Sequence, residues 1–499
     1  MAAKPCARRQ PEYCAGRGFK EMNHRPAPCF VPQGAARREA GSERLGGSAM
    51  GAGTGHGVGR GIGPGEAVSS VERSAMRKVA WRLLPFLIVC YFISYLDRVN
   101  VGFAGPAMRA DLGLSATAFG TAAGIFFLAY FVFEVPSNLA LNRFGARVWI
   151  ARIMVTWGLL SGAQAFVTGE TSFNVVRVLL GAAEAGFFPG VIFYLTLWFP
   201  TAYRGRIVGW FMFAIPFSSA LGSPVSGYLL NMDGIWGLHG WQWMFIVEAI
   251  PALLMTVGVL YYLTDRPAEA QWLTAEEKAW LATTLREEER QREAVVRYEW
   301  WQTLTNPRVI GYGFVYMGLV SPLYTLGFFQ PQIIKALGSV SNVQLGFLNA
   351  FPYAVGAVTM VLWGFFSDRL GERKWTTIFA AACATAGLLI AASTDVLVMK
   401  LLGLALASYG IFAALPIFWS LPTAILSGTA AAAGIAWINS VGNLGGYFGP
   451  QFFGLIKDRT GGDYYGLLFM AALPIMSILL ILVLDRKRAP SQAASVPAE

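Results

Sequence analysis

Along this chain apolar residues come in runs of about twenty, separated by short stretches where Arg, Lys, Gly and Pro collect. A run of that length matches the ~20 residues a helix needs to cross a ~30 Å hydrocarbon core. The alternation expected of barrel strands is absent, and a non-barrel backbone in lipid must satisfy its own hydrogen bonds as helix. The pattern predicts twelve spans, near 83–104, 117–139, 146–167, 173–197, 206–230, 242–263, 309–334, 345–366, 376–394, 397–420, 430–455 and 465–484. Only the sixth and seventh are far apart. The loop between them, 265–308, contains "LTAEEKAWLATTLREEERQREA", a charged helix with acids early and Arg later, as the helix dipole favours. The expected fold is an all-α polytopic membrane protein. Its parts are a Gly/Arg-rich disordered tail (1–75), a six-helix bundle (76–264), the loop (265–308), a second six-helix bundle (309–485) and a short C-terminal tail (486–499).

Composition agrees with this reading. The chain is 55% hydrophobic and 14% charged, against roughly 25% charged in soluble domains. Its mean hydropathy is +0.48. A net charge of +10 raises the question of a nucleic-acid partner, but no basic-aromatic cluster supports one. Much of the excess instead flanks spans on one side: Arg73, Arg77, Lys78, Arg82, Arg143, Arg147, Arg204, Arg206, the central loop, Arg369, Arg373, Lys374 and 486–488. The other side has little beyond Arg109, Lys335, Lys400, Lys457 and Arg459. Positive residues mark the cytoplasmic side, so both termini and the central loop are expected there.

Cys6, Cys14 and Cys29 lie in the tail and Cys90 and Cys383 in spans, which gives no disulfide framework or CxxC pair. His24, His56 and His239 all lie outside the span interiors. No metal or cofactor is expected, no HExxH or nucleophile–base pair suggests an enzyme, and any protons must travel on carboxylates. The glycine-rich "GAGTGHGVGRGIGPG" follows no strand and reads as disordered tail.

Charge inside the spans is costly, about 2.5–3.5 kcal/mol per residue at the membrane centre. Yet "FISYLDRVNVGFA" places Asp97 and Arg98 side by side, Asp97 about 21 Å along the helix from Leu83. Adjacent helical positions point about 100° apart, so the two address different partners. In the fourth span, "VVRVLLGAAEAGFFPG", Arg177 and Glu184 are two turns apart and share a face. Gly181, Gly186 and Gly190 allow a neighbour to approach that span closely. Glu134 and Glu248, also in spans, read better as structural hydrogen-bonding groups.

The segment "GFFSDRLGERK" carries Gly364, Asp368, Arg369 and Gly371 in the order G-x-x-x-D-R-x-G-R/K and resembles the signature of the major facilitator superfamily. The matching place in the first half, "NLALNRFGAR", keeps Arg143, Gly145 and Arg147 but has Asn138 and Asn142 for the Gly and Asp. That departure weakens the gate salt bridge implied for this half. Further stretches, including "SYLDRVNVGFA", "VRVLLGAAEAGFFPG" and "KDRTGGDYYGLL", are similar to the anion:cation symporter family, in particular its bacterial tartrate/phthalate-type branch.

The resemblance implies a secondary transporter of the bacterial inner membrane that imports a small organic anion with protons by alternating access. The substrate would be a tartrate-like dicarboxylate, a sugar acid or an aromatic carboxylate. An organic-acid exchanger or exporter is the alternative. Within that implication Arg98 anchors a substrate carboxylate, Asp97 and Glu184 are the protonatable switches, and Arg177 tunes them. Tyr95, Tyr130, Tyr324, Trp419, Asn439 and Asn443 are candidate substrate contacts. The transporter would act as a monomer in the lipid bilayer.

Overall fold

The computed structural model describes residues 69–293, 305–423 and 428–485. Most of the tail expected over 1–75, with Cys6, Cys14, Cys29, His24 and His56, lies outside them, as does the C-terminal tail from 486.

Every described element is helical, and the first half runs through α1 (Ser70–Leu112), α2 (Ala116–Phe144) and α3 (Ala146–Ala163). The fourth span is broken into α4 (Glu170–Glu184) and α5 (Phe187–Thr196), and the fifth into α6 (Thr201–Met212) and α7 (Ala214–Leu229). The sixth is α8 (Gly240–Tyr262). A linker helix α9 (Ala275–Glu293) leads to α10 (Pro307–Lys335), α11 (Asn342–Leu370), α12 (Lys374–Ser393) and α13 (Leu397–Phe418). The eleventh span is α14 (Gly428–Asn443) with α15 (Gly445–Thr460), and the last is α16 (Tyr464–Asp485). The two six-span halves are therefore as expected.

Among the described residues, ten helical segments are long and apolar enough to cross a membrane. The two spans outside that set are α3, which carries Arg147 and Arg152, and the eleventh, split into pieces of 16 residues each. The first span also begins well before the expected residue 83. Ser69 caps α1 by accepting from the Glu72 N–H at 3.1 Å, and the charged turns that follow dock on the linker helix. There Glu277 accepts from Ser74 Oγ at 2.7 Å and pairs with Lys78 Nζ at 2.8 Å. Burial works to raise the Glu277 carboxyl pKa, but the hydrogen bonds from Lys78, Ser74 and the Thr274 N–H outweigh it and hold it at about 2.

One end of the bundle carries the Lys/Arg-rich connections and the start of α1, and is called here the basic end. At the opposite, far end the halves meet closely: α2 lies along α15, α7 along α11, and α1 crosses α10. Arg109 Nη1 donates to Gln332 Oε1 at 2.9 Å, and Asn349 Nδ2 to Ser223 Oγ at 2.9 Å. These contacts shut the far end, and the central cavity lies on its basic-end side.

Candidate functional site

The cavity forms where α1 and α4 of the first half face α10 and α14 of the second. Arg98 reaches its wall because Ser94, one turn earlier, offers both its carbonyl (3.2 Å) and its hydroxyl (3.3 Å) to Nη1. The same Nη1 is 2.9 Å from Glu184 Oε1, which also accepts from Ser94 Oγ at 2.6 Å. Glu184 is the last residue of α4, where Ala185 leaves helical geometry (ψ 131°) and Gly186 turns left-handed (φ 86°). Only glycine adopts that conformation readily, so Gly186 sets the break that turns Glu184 into the site.

The Arg98 guanidinium also lies over the rings of Tyr95 (4.9 Å) and Phe126 (5.2 Å). Its buried Nε has no hydrogen-bond partner among the described residues. Arg98 is thus paired and still has a donor in reserve, while keeping 13% of its side chain exposed against 2% for Glu184. Around this pair the wall includes Tyr95, Tyr130, Tyr324, Asn439 and Asn443, all singled out from the sequence.

Three other candidates lie elsewhere. Asp97 faces away from the cavity into the first half, where it is 3% exposed. It accepts from the Trp157 indole N–H, from Ser161 Oγ at 2.6 Å and from Asn100 Nδ2 at 3.3 Å. Arg177, 1% exposed, donates to the α2 carbonyls of Ala122 (3.1 Å) and Ala123 (2.9 Å) and stacks on Phe126. Arg177 and Glu184 do share a face of α4, but that face is covered by α2 at the level of Arg177 and opens to the cavity only at Glu184. Trp419 packs behind the wall against Tyr316, ring centroids 4.8 Å apart. Glu248 accepts from Ser226 Oγ at 2.8 Å, a structural hydrogen bond.

Within the gate motif, Asp368 in the last turn of α11 pairs with Arg373 of the loop that follows, and Gly364 has open space where a Cβ would stand. Arg369 is exposed, while Gly371 ends α11 in the left-handed conformation (φ 66°). In the first half Arg143 lies near the Phe144 ring, and Gly145 faces Asp265, which accepts from the Arg147 N–H at 2.8 Å. Asp265, at the end of the sixth span, thus supplies a carboxylate where the motif lacks its own.

The sequence reading missed Tyr91, Ser94 and Tyr316, which also line the cavity. Helical spacing was the available signal: Tyr91 is one turn before Tyr95, Ser94 one turn before Arg98, and Tyr316 about two turns before Tyr324. Among the described residues no cluster of His, Cys, Asp and Glu could hold a metal ion.

Residues 87–450 match the Major Facilitator Superfamily. A protein of Agrobacterium vitis named "Putative tartrate transporter" is 51% identical over 418 residues, covering 84% of this chain and 93% of its own. A quinolone resistance transporter of Acinetobacter baumannii is 40% identical over 416 residues, 83% of this chain and 96% of its own. Among solved structures, the Escherichia coli xylose transporter shares the fold with a TM-score of 0.66 at 16% identity, covering 81% of this chain and 98% of that one. With a family match across most of its length and relatives aligned almost end to end, the chain belongs to the Major Facilitator Superfamily and is a multi-pass membrane transporter, not an enzyme.

Proposed function

We propose that the chain is a proton-coupled importer of a small organic anion, of the anion:cation symporter type, working as a monomer in a bacterial inner membrane. Both termini and the central loop are cytoplasmic in this reading, so the far end faces outside and the state described is inward-facing. The bundles 76–264 and 309–485 rock about the central site. The observation that carries the proposal is Arg98: a cavity-wall guanidinium bound to Glu184 and holding a buried, unpartnered Nε–H. A substrate carboxylate has that donor to engage, and it competes with Glu184 for the same cation.

Proton coupling follows from this competition. A proton on Glu184 releases Arg98 to the anion, and loss of the anion and of the proton restores the ion pair. Asp97, enclosed behind Arg98 on the same helix, is the second protonatable group. The tyrosines Tyr95, Tyr130 and Tyr324 and the amides Asn439 and Asn443 supply donors and acceptors for hydroxyl and carboxyl oxygens. That set suits a tartrate-like dicarboxylate, a sugar acid or an aromatic carboxylate, and the name of the Agrobacterium relative agrees with the first. The Acinetobacter relative is named for quinolone resistance, and the alternative reading is an organic-acid exchanger or exporter. Uptake of labelled acids into proteoliposomes with and without an inward proton gradient separates the two. Accumulation that needs the gradient supports import, whereas gradient-independent exchange or outward pumping overturns it.

A further inference from the structure

At the far end, α2 begins under an unusual arrangement. Ser115 caps it from within by accepting from the Ala118 N–H at 3.0 Å, which leaves the N–H groups of Ala116 and Thr117 to find other partners. Both are taken by Asp458 of α15, in the other half of the protein. Oδ1 accepts from Ala116 N at 2.9 Å, while Oδ2 accepts from Thr117 N and Thr117 Oγ1, both at 2.6 Å. We propose that Asp458 is the latch of the far mouth, a carboxylate of the second half that caps a helix of the first and must release it for that mouth to open.

Three features make this a built contact. The charge sits at a helix N-terminus, where the dipole favours an anion. The helices approach at backbone distance: a Cβ at Gly454 would stand 2.2 Å from the Ala116 carbonyl oxygen, and one at Gly120 2.3 Å from that of Pro450. Gly454 is one turn before Asp458, so the same face of α15 carries both the close approach and the latch. The last turn of α15 is itself held, since Gly461 ends it with φ 74° and an N–H bond to the Lys457 carbonyl, and Lys457 Nζ pairs with Asp463 at 2.6 Å.

Among the described residues, the other side-chain hydrogen bonds across the far-end seam include the neutral pairs Asn349 with Ser223 and Asn342 with Asn231, and a cation on an amide, Arg109 with Gln332. The Asp458 carboxylate gathers three donors across the seam at once. When the far mouth opens, α2 and α15 part and all three donors pass to water. The latch therefore biases the equilibrium between the two mouths without locking it.

The inference rests on the alternating-access reading above. Its test uses one reporter cysteine, Leu323→Cys on the cavity wall, in the full chain with its five native cysteines replaced by serine. A membrane-impermeant maleimide is applied from either face in oriented vesicles. Asp458→Ala is expected to speed labelling from the far face about tenfold to a hundredfold, the scale of losing hydrogen bonds to a charged acceptor, and to slow it from the basic face. Asp458→Asn, which keeps one acceptor oxygen and no charge, is expected to fall between. A variant that merely unfolds labels faster from both faces, and that result, like an unchanged far-face rate, overturns the latch. A reporter that never labels from the far face in any background overturns alternating access itself, and the latch with it.

Discussion

Replacing Glu184 by Gln removes the partner of Arg98 while keeping the shape of the side chain and an acceptor for Ser94. Arg98 then loses a charge-assisted contact at 2.9 Å, worth about 1.5–3 kcal/mol net. Breaking a fully buried pair costs about 3–5 kcal/mol, but Arg98 is open to the cavity and keeps its two bonds to Ser94, so the lower range applies. In the wild type an entering carboxylate must displace Glu184; in the variant it meets an unpaired cation. The same 1.5–3 kcal/mol becomes a gain in anion affinity of about tenfold to a hundredfold, by the usual conversion of 1.4 kcal/mol per decade. Isothermal titration of purified protein with a panel of hydroxylated and aromatic acids near neutral pH measures it. The expected variant melts lower without ligand and binds the acid more tightly. Unchanged or weaker affinity in a folded variant would refute the competition between Glu184 and substrate.

Ser161→Ala leaves the buried Asp97 carboxylate short of its 2.6 Å donor; a loss of about 1–3 kcal/mol should appear as a lower melting temperature together with a displaced pH profile of uptake. A methyl group at Gly181 would stand 2.2 Å from the Phe126 carbonyl oxygen, so Gly181→Ala is expected to destabilise by about 1–3 kcal/mol, and an unchanged melting curve would contradict the packing of α4 on α2. For the linker helix the sign is that of a depressed carboxyl. The contribution of Glu277 is complete above its ordinary value of 4.5 and is lost as pH falls toward about 2. Limited proteolysis at pH 5 should therefore find α9 docked in the wild type and cleavable in Glu277→Ala; equal cleavage would deny the docking.

The architecture was legible because lipid leaves the backbone few options. Span lengths, the central loop and the one-sided Lys/Arg distribution each follow from a single strong constraint. Arg98 and Glu184 stood out as charges at a depth where charge is costly, while the five further wall residues came from the family resemblance. What the sequence left open was azimuth. Asp97 and Arg98 are neighbours in sequence but face opposite surroundings, Asp97 toward α3 and Arg98 toward the cavity, and only the packing of α1 decides which faces where. Arg177 shows a second limit, since seven-residue spacing fixes a shared face but does not say how far along it a neighbouring helix extends. Asp265 and Asp458 were hidden for another reason. Their partners are backbone N–H groups far away in sequence, and such contacts leave no mark in a residue pattern.

The central claim is that anion and proton enter together at Arg98. It is tested most directly by recording external pH in a lightly buffered suspension of expressing cells as single carboxylic acids are added, beside an Asp97→Asn strain and an empty-vector strain. The account predicts alkalinisation with at least one hydroxylated or aromatic acid, absent from both controls. Uptake of a labelled acid with no alkalinisation, proceeding equally well in the Asp97→Asn strain, would contradict it.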